Sequence, residues 1–222
     1  DRLACFGYAH LPEKIKHQQL IREEQLPPPR ERLGMLLDAT RFYTEQGYEV
    51  IGLDHFAAPE GSLSVAVREG NLWRNFMGYT SIRGLEMIGF GASAIGELRE
   101  MFAQNRPLPE HYRDAVNGTG WAVHRGHVMD ADDRVRTVLI NDLMCNLRVR
   151  IPEGAAEVPG LVEQLQAAMQ ELEPYAAEGL IEPRDDGWEV TPLGRLFLRN
   201  LAMPFDRYLP EQQKKVTFSR TI

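Results

Sequence analysis

Glu49-Val50-Ile51-Gly52-Leu53-Asp54-His55-Phe56 decides the reading of the fold: a short apolar run with a carboxylate and an imidazole near its end. Such a run reads as a buried strand. Working back from it, Leu33, Leu36, Leu37, Thr40 and Tyr43 fall near a 3.6-residue period, so a helix is expected from Arg30 to about Gln46, capped by Gly47. The triple proline Pro27-Pro28-Pro29 stops the polar, helix-permissive stretch that precedes it, residues 13–25. Further back, Leu3-Ala4-Cys5-Phe6-Gly7-Tyr8 is another apolar run, ending near Tyr8-Ala9-His10 and closed by Leu11-Pro12. Strand, about 40 residues containing a helix, then strand is the pattern of a parallel sheet. The fold class is therefore α/β.

Toward the C-terminus, residues 63–69 fit a short helix ended by Gly70. Residues 73–80 and 86–92 read as strands, and residues 93–102 as a helix. At Asn105-Arg106-Pro107-Leu108-Pro109 the chain changes character, and helices are expected over residues 109–126, 130–148 and 158–178. Leu180 to Val190, with Asp185-Asp186-Gly187 as its turn, reads as a hairpin. Thr191 then caps a helix with Pro192 at its first position. Helix, hairpin, helix is a winged-helix arrangement. The expected organisation is an α/β part over residues 1–104 and a helical part over residues 105–222. A chain that opens inside an apolar run is expected to be the later part of a longer polypeptide.

Of the 222 residues, 43% are hydrophobic and 26% charged, an ordinary globular balance. No apolar run reaches the roughly 18 residues of a spanning helix, so no membrane partner is expected. Two cysteines, Cys5 and Cys145, supply neither a disulfide framework nor a four-thiolate metal site, which points to a reducing cytoplasm. Both sit in apolar surroundings and read as buried thiols. The net charge is −7, and residues 151–222 carry 7 basic against 12 acidic side chains. Phosphate neutralisation needs the opposite balance, so no nucleic-acid partner is expected, even for the winged-helix part.

Reactive side chains of parallel α/β structures gather where strands end. Tyr8-Ala9-His10 and Asp54-His55 occupy such places. His10, Asp54 and His55 could ligate a metal or simply orient loops. Gly89-Phe90-Gly91-Ala92-Ser93-Ala94-Ile95-Gly96 is a Gly-rich turn that could let backbone N–H groups approach an anion, or pack tightly. Arg68 and Arg74 flank one apolar run, and guanidinium groups suit carboxylate recognition.

Taken together, Tyr8-Ala9-His10-Leu11-Pro12, Gly52-Leu53-Asp54-His55-Phe56-Ala57, Ala66-Val67-Arg68-Glu69-Gly70, Arg74-Asn75-Phe76-Met77-Gly78-Tyr79-Thr80, Gly89-Phe90-Gly91-Ala92-Ser93-Ala94-Ile95, Arg199-Asn200-Leu201-Ala202-Met203-Pro204-Phe205-Asp206 and Phe218-Ser219-Arg220-Thr221-Ile222 resemble the C-terminal half of the oxygen-independent coproporphyrinogen III oxidase family. The resemblance runs the length of the chain. It implies an incomplete parallel, TIM-like α/β barrel followed by a mostly helical domain. It also implies radical S-adenosylmethionine chemistry: a 4Fe–4S cluster, an electron donor, and a 5′-deoxyadenosyl radical that abstracts hydrogen from two propionates of coproporphyrinogen III. Loss of CO2 and one further electron from each leaves the vinyls of protoporphyrinogen IX.

The three clustered cysteines of that family lie upstream of Asp1, so the resemblance implies a missing N-terminal half as partner and a fragment inactive alone, with no catalytic residue of its own. By resemblance, Ala9 contacts a first S-adenosylmethionine, and Phe76, position 77 and Ile95 belong to a second site. Met77 stands where the family has glutamine, which removes an amide donor and acceptor. Arg68 and Arg74 are the candidate substrate-binding residues. The haem-chaperone paralogues differ from Arg74-Asn75-Phe76-Met77-Gly78-Tyr79-Thr80 and usually lack the long C-terminal ending. They remain one alternative, a winged-helix binding module is another, and a metal hydrolase built on His10, Asp54 and His55 is a third.

Overall fold

The computed structural model describes residues 1–209. The terminal block of residues 218–222 lies outside them. Strand β1 (Arg2–Ala4) is followed by a long loop with two 3-10 turns, then helix α1 (Pro29–Glu45), β2 (Glu49–Gly52), β3 (His55–Ala57) and α2 (Ser62–Glu69). Helix α1 begins behind the prolines, which fit its first turn, and ends before Gly47 at φ 86°. Helix α2 ends at Gly70, whose φ of 68° closes it in the left-handed region.

The expected parallel pair is absent. Strand β3 lies between β1 and β2 and is antiparallel to both, so β1 and β2 point the same way without touching. The apolar run from Glu49 to Phe56 is not one strand. Leu53 sits at φ 43°, turning the chain back on itself after Gly52 and leaving Asp54 in the turn. The pattern of apolar residues could not distinguish a strand from a tight hairpin of the same length. β1 is also shorter than expected: Phe6 is 73% exposed and Tyr8 is exposed, whereas Ile51 is buried.

Next come two hairpins. Strands β4 (Trp73–Asn75) and β5 (Gly78–Thr80) pair around the tip Phe76-Met77. Strands β6 (Ile95–Leu98) and β7 (Met101–Asn105) pair around Arg99-Glu100, where a helix over residues 93–102 was expected. Ser93 at φ 61° and the close cross-strand fit of Gly96 exclude that helix. Residues 86–92 form no strand beyond a bridge from Met87 to Glu97. Helix α3 (Pro109–Thr119) stops at Gly120 (φ 79°), short of residue 126, because the following residues form β8 (Val123–Val128) against β7.

Helix α4 (Ala131–Asn141) opens on a capping box in which Asp130 accepts from the Asp133 amide. It ends short of the expected residue 148, running into a π-turn over Asp142–Asn146 and then β9 (Arg148–Arg150), a strand not expected from the sequence. Helices α5 (Leu161–Gln170) and α6 (Glu173–Ala177) precede the expected hairpin, β10 (Ile181–Arg184) with β11 (Gly187–Val190), to which β9 adds a third strand. The helix expected from Pro192 is instead a 3-10 turn from Gly194 followed by α7 (Leu198–Ala202), although Thr191 Oγ1 does accept from the Gly194 amide at 3.1 Å.

One apolar cluster joins the two expected parts. It extends from Ile51, Leu63 and Leu72 through Leu139 and Leu143 to Leu161, Leu198 and Phe205. Each such side chain contributes roughly 1.5–3 kcal/mol by leaving water. The sheet β6-β7-β8 likewise crosses residue 105. No helix among the described residues is long and apolar enough to cross a membrane.

Candidate functional site

The loop after β1 is fixed by one buried side chain. Gln18 donates through Nε2 to the Ala9 carbonyl at 3.1 Å and accepts from the Leu11 amide, so it spans Ala9-His10-Leu11. The Tyr8 and His10 rings are tilted at 44° to one another, with 3.5 Å between Oη and Nδ1. The Cys5 amide donates to the Asp54 carbonyl at 2.7 Å, which ties the start of this loop to the β2–β3 turn.

In that turn Asp54 Oδ1 lies 2.7 Å from His55 Nδ1, and the His55 ring packs T-shaped on Tyr79 at 5.2 Å. A Cβ on Gly78 would stand 3.5 Å from His55 Nε2, so the imidazole supports the backbone of the β4–β5 hairpin. His10, Asp54 and His55 do not form a ligand set: among the described residues no group of three His, Cys, Asp or Glu side chains could hold a metal ion.

Tyr79 sits over the core with its hydroxyl aimed at the Met144 carbonyl, 3.4 Å away, and burial pushes its pKa well above the usual phenol range. The Arg74 guanidinium lies 5.7 Å from the Tyr79 ring centroid, and its amide donates to Asn141 Oδ1 at 3.0 Å. Arg68 is engaged elsewhere. It holds both oxygens of Glu49 at 2.8 and 2.9 Å and the Pro59 carbonyl at 2.7 Å. Cys145 is buried beside Asn141, and desolvation pushes its thiol up to about 12; Cys5 is only half-buried. Two thiols so placed do not fit a cluster that needs three clustered thiolates.

The hairpin tip is the exposed apolar feature of this region: Phe76 is 59% and Met77 80% exposed. Glu97 on β6 accepts the Phe76 amide at 3.0 Å, and Ile95 stands two residues earlier on the same face. The Gly-rich loop closes the other side. Asn105 Nδ2 donates to the carbonyls of Gly89 (3.1 Å) and Gly91 (3.0 Å), while Tyr112 Oη accepts from the Gly91 amide at 3.2 Å. A Cβ on Gly89 would come within 2.8 Å of the Ile95 backbone, so tight packing is one role of that glycine.

The structure thus joins Phe76, Met77 and Ile95 through Glu97, and holds Ala9 on its own loop through Gln18. Sequence reading missed Glu97, Asn105 and Gln18. The period-2 pairing of Ile95 with Glu97 was the available signal for the first; the other two carry none, because their partners are backbone carbonyls and an amide.

This mixed α/β arrangement is similar to that of a solved protein. The solved structure of Escherichia coli coproporphyrinogen III oxidase (HemN), described as a radical SAM enzyme, matches with a TM-score of 0.86 and 38% identity over 94% of this chain and 48% of that chain. Residues 129–197 match the HemN C-terminal domain. Among curated relatives, the oxygen-independent coproporphyrinogen III oxidase of E. coli is 38% identical over 223 residues, covering 100% of this chain and 49% of that protein. Those of Pseudomonas aeruginosa (37%, covering 100% and 48%) and Synechocystis (34%, covering 100% and 49%) are similar in the same way. The chain spans about half the length of the curated relatives it matches, and is similar from end to end to the C-terminal half of oxygen-independent coproporphyrinogen III oxidases.

Proposed function

We propose that this chain is the C-terminal portion of an enzyme of anaerobic haem biosynthesis that decarboxylates two propionates of coproporphyrinogen III to vinyls, in the cytoplasm. The observation that carries the reading is the 38% identity sustained across the whole chain, together with the fold match to HemN. S-adenosylmethionine, cleaved at a 4Fe–4S cluster ligated outside this chain, would supply the radical.

The residues of this chain bind and position. Phe76 offers an exposed aromatic face to the adenosyl group, Met77 and Ile95 add apolar surface, and the loop at Ala9 approaches a first S-adenosylmethionine. The Ala9 carbonyl is already used by Gln18, so the backbone N–H and the small side chain are what that residue presents. Arg74 is the better-placed candidate for a propionate, since its guanidinium rests on an aromatic ring while that of Arg68 is fully engaged. In the longer protein, β1 and β2, which run in the same direction, would belong to the end of an incomplete barrel. Residues beyond β8 would form the helical domain with its winged-helix-like end.

The full-length protein, with reductant and S-adenosylmethionine under nitrogen, is expected to convert coproporphyrinogen III to protoporphyrinogen IX, read by chromatography after oxidation to the porphyrins. A full-length protein with an intact cluster that binds haem and leaves the propionates untouched belongs with the haem chaperones instead.

A further inference from the structure

Glu97, on β6, is the charged side chain that bonds to the hairpin tip. Its backbone is fixed on both flanks: it pairs with Phe102 across β7, and it exchanges two hydrogen bonds with Met87, at 2.7 and 2.8 Å. Its half-buried side chain reaches the other way, and Oε2 accepts from the Phe76 N–H. A carboxylate receiving a backbone amide makes one of the stronger hydrogen bonds available to a side chain.

The tip depends on that bond. Phe76 and Met77 are mostly exposed and have little packing of their own. The Met77 amide bonds only to Asn75, inside the hairpin, and the anchor at Arg74 lies at its base. Among the described residues, the bond to Glu97 is what ties the tip to the sheet. Since Ile95 and Glu97 leave the same face of β6, the bond also fixes the tip relative to Ile95.

We infer that Glu97 is a positioning residue for an S-adenosylmethionine site at this hairpin, its carboxylate clamping the Phe76 amide and so presenting Phe76 and Met77 beside Ile95 as one apolar surface. The inference rests on the proposed function, which makes this surface a cofactor site. It assigns Glu97 no contact with the reacting atoms. A clamp needs only an acceptor oxygen, so glutamine can serve and alanine cannot.

The test uses the full-length protein with its cluster, in E97A, E97Q and F76A forms. Two readings are taken: hydrogen exchange at the Phe76 amide, and equilibrium dialysis of labelled S-adenosylmethionine. E97A is expected to speed exchange at Phe76 and to weaken, about tenfold, the S-adenosylmethionine site that F76A also weakens. E97Q is expected to restore both to within about threefold of the parent protein. Unchanged exchange in E97A overturns the clamp, as does an E97Q protein as impaired as E97A. Faster exchange with unchanged affinity, while F76A still binds poorly, overturns the positioning role and leaves the cofactor site standing. If neither E97A nor F76A alters binding, the hairpin is no cofactor site and both readings fall.

Discussion

Arg195 Nη2 donates to the Val50 carbonyl oxygen 3.0 Å away and, at 3.5 Å, to that of Ile51, bridging the segment after β11 to strand β2 across 145 positions of the chain. Burial lowers the basicity of this guanidinium, and its Nε has no partner. It links the hairpin-and-helix end of the molecule to the strand leading into Asp54 and His55. Arg195→Met keeps the length of the side chain and leaves the Val50 carbonyl without its donor. A charged hydrogen bond of this kind is worth about 1.5–3 kcal/mol, so the variant is expected to lose about that much in urea unfolding. A midpoint unchanged from the parent chain would show the bridge to be incidental.

Glycines at 194 and 34 should respond in opposite senses to alanine. A Cβ on Gly194 would lie 1.9 Å from the Leu180 carbonyl oxygen and 2.8 Å from Val190 Cγ1, neither of which can retreat without moving β10 or β11. Gly194→Ala is expected to destabilise by at least about 3 kcal/mol. Gly34 lies within α1 with nothing within 4 Å, so Gly34→Ala should stabilise by about 0.5–1 kcal/mol. Thermal melts of the two variants should therefore move apart.

The thiol at Cys145 gives a pH signature. Desolvation holds its folded pKa near 12, above the ordinary 9.0, so between these values the folded state keeps a proton the unfolded state has lost. Stability from this group is therefore complete below pH 9 and declines as pH rises toward 12. Tyr79 is shifted in the same direction by the same cause. Cys145→Ser, whose hydroxyl does not titrate there, should flatten the decline, measured as the urea midpoint at pH 8 and pH 10.5. At pH 8 Cys145 should also react with iodoacetamide only in denaturant. Rapid labelling of the folded chain would contradict this burial.

Legibility of the fold followed the kind of signal each element carries. Helices α1, α2 and α4 and the hairpin of β10 and β11 announce themselves through caps, prolines and turn residues, which are local. The β2–β3 hairpin did not, because its turn is made by Leu53 at positive φ, where the sequence offers no Asn-Gly or Asp-Gly. β6 was misread as a helix because Ser93-Ala94-Ile95 suits a helix start, while its partner β7 could be found only from tertiary pairing. At the candidate site, Phe76, Met77 and Ile95 are named by resemblance alone. Glu97 was missed because residues 93–102 read as a helix, which hides the period-2 relation of Ile95 to Glu97.

Arg207 closes a polar cluster at the start of α4, donating to Asp130 at 2.8 Å, Asp132 at 2.7 Å and the hydroxyl of Tyr208 at 2.6 Å. Tyr208 in turn donates to Asp133 at 2.9 Å, and His127 Nε2 lies 2.8 Å from the same carboxylate. The hydrogen bond from Arg207 holds the Asp130 carboxyl below the ordinary 3.8. A depressed carboxyl stabilises the fold above its unfolded pKa and ceases to do so as pH falls through the folded one. The parent chain should therefore lose stability as pH drops below about 4. Arg207→Gln should already be less stable at pH 7, where three carboxylates lack that cation, and should show a shallower acid limb. Parallel pH profiles for variant and parent would dismiss the cluster as a stabilising device.

The last expectation concerns surface rather than site. Between residues 82 and 90 the chain exposes Ile82, Leu85, Ile88 and Phe90, the last at 86%, and Phe6 and Tyr8 are exposed as well. Isolated exposed apolar residues are ordinary, but this density in one segment marks a surface that another protein surface would cover. β8 adds to it, all six of its residues being exposed, with β7 paired to one side of it. The 222-residue chain expressed by itself should therefore self-associate. Sedimentation velocity over a dilution series should show a mass that falls with concentration, and an I88D/F90S double variant should shift it toward monomer. Limited proteolysis should cut first in the irregular segment of residues 81–92 and not at Asn105, which is buried at the end of β7. The piece from β6 onward should be the more resistant, because the sheet β6-β7-β8 and the larger share of the apolar cluster, including that on α4, α5 and α7, lie within it. A chain that remains monomeric at high concentration, with segment 81–92 as resistant as the rest, would mean that these side chains are already covered in solution.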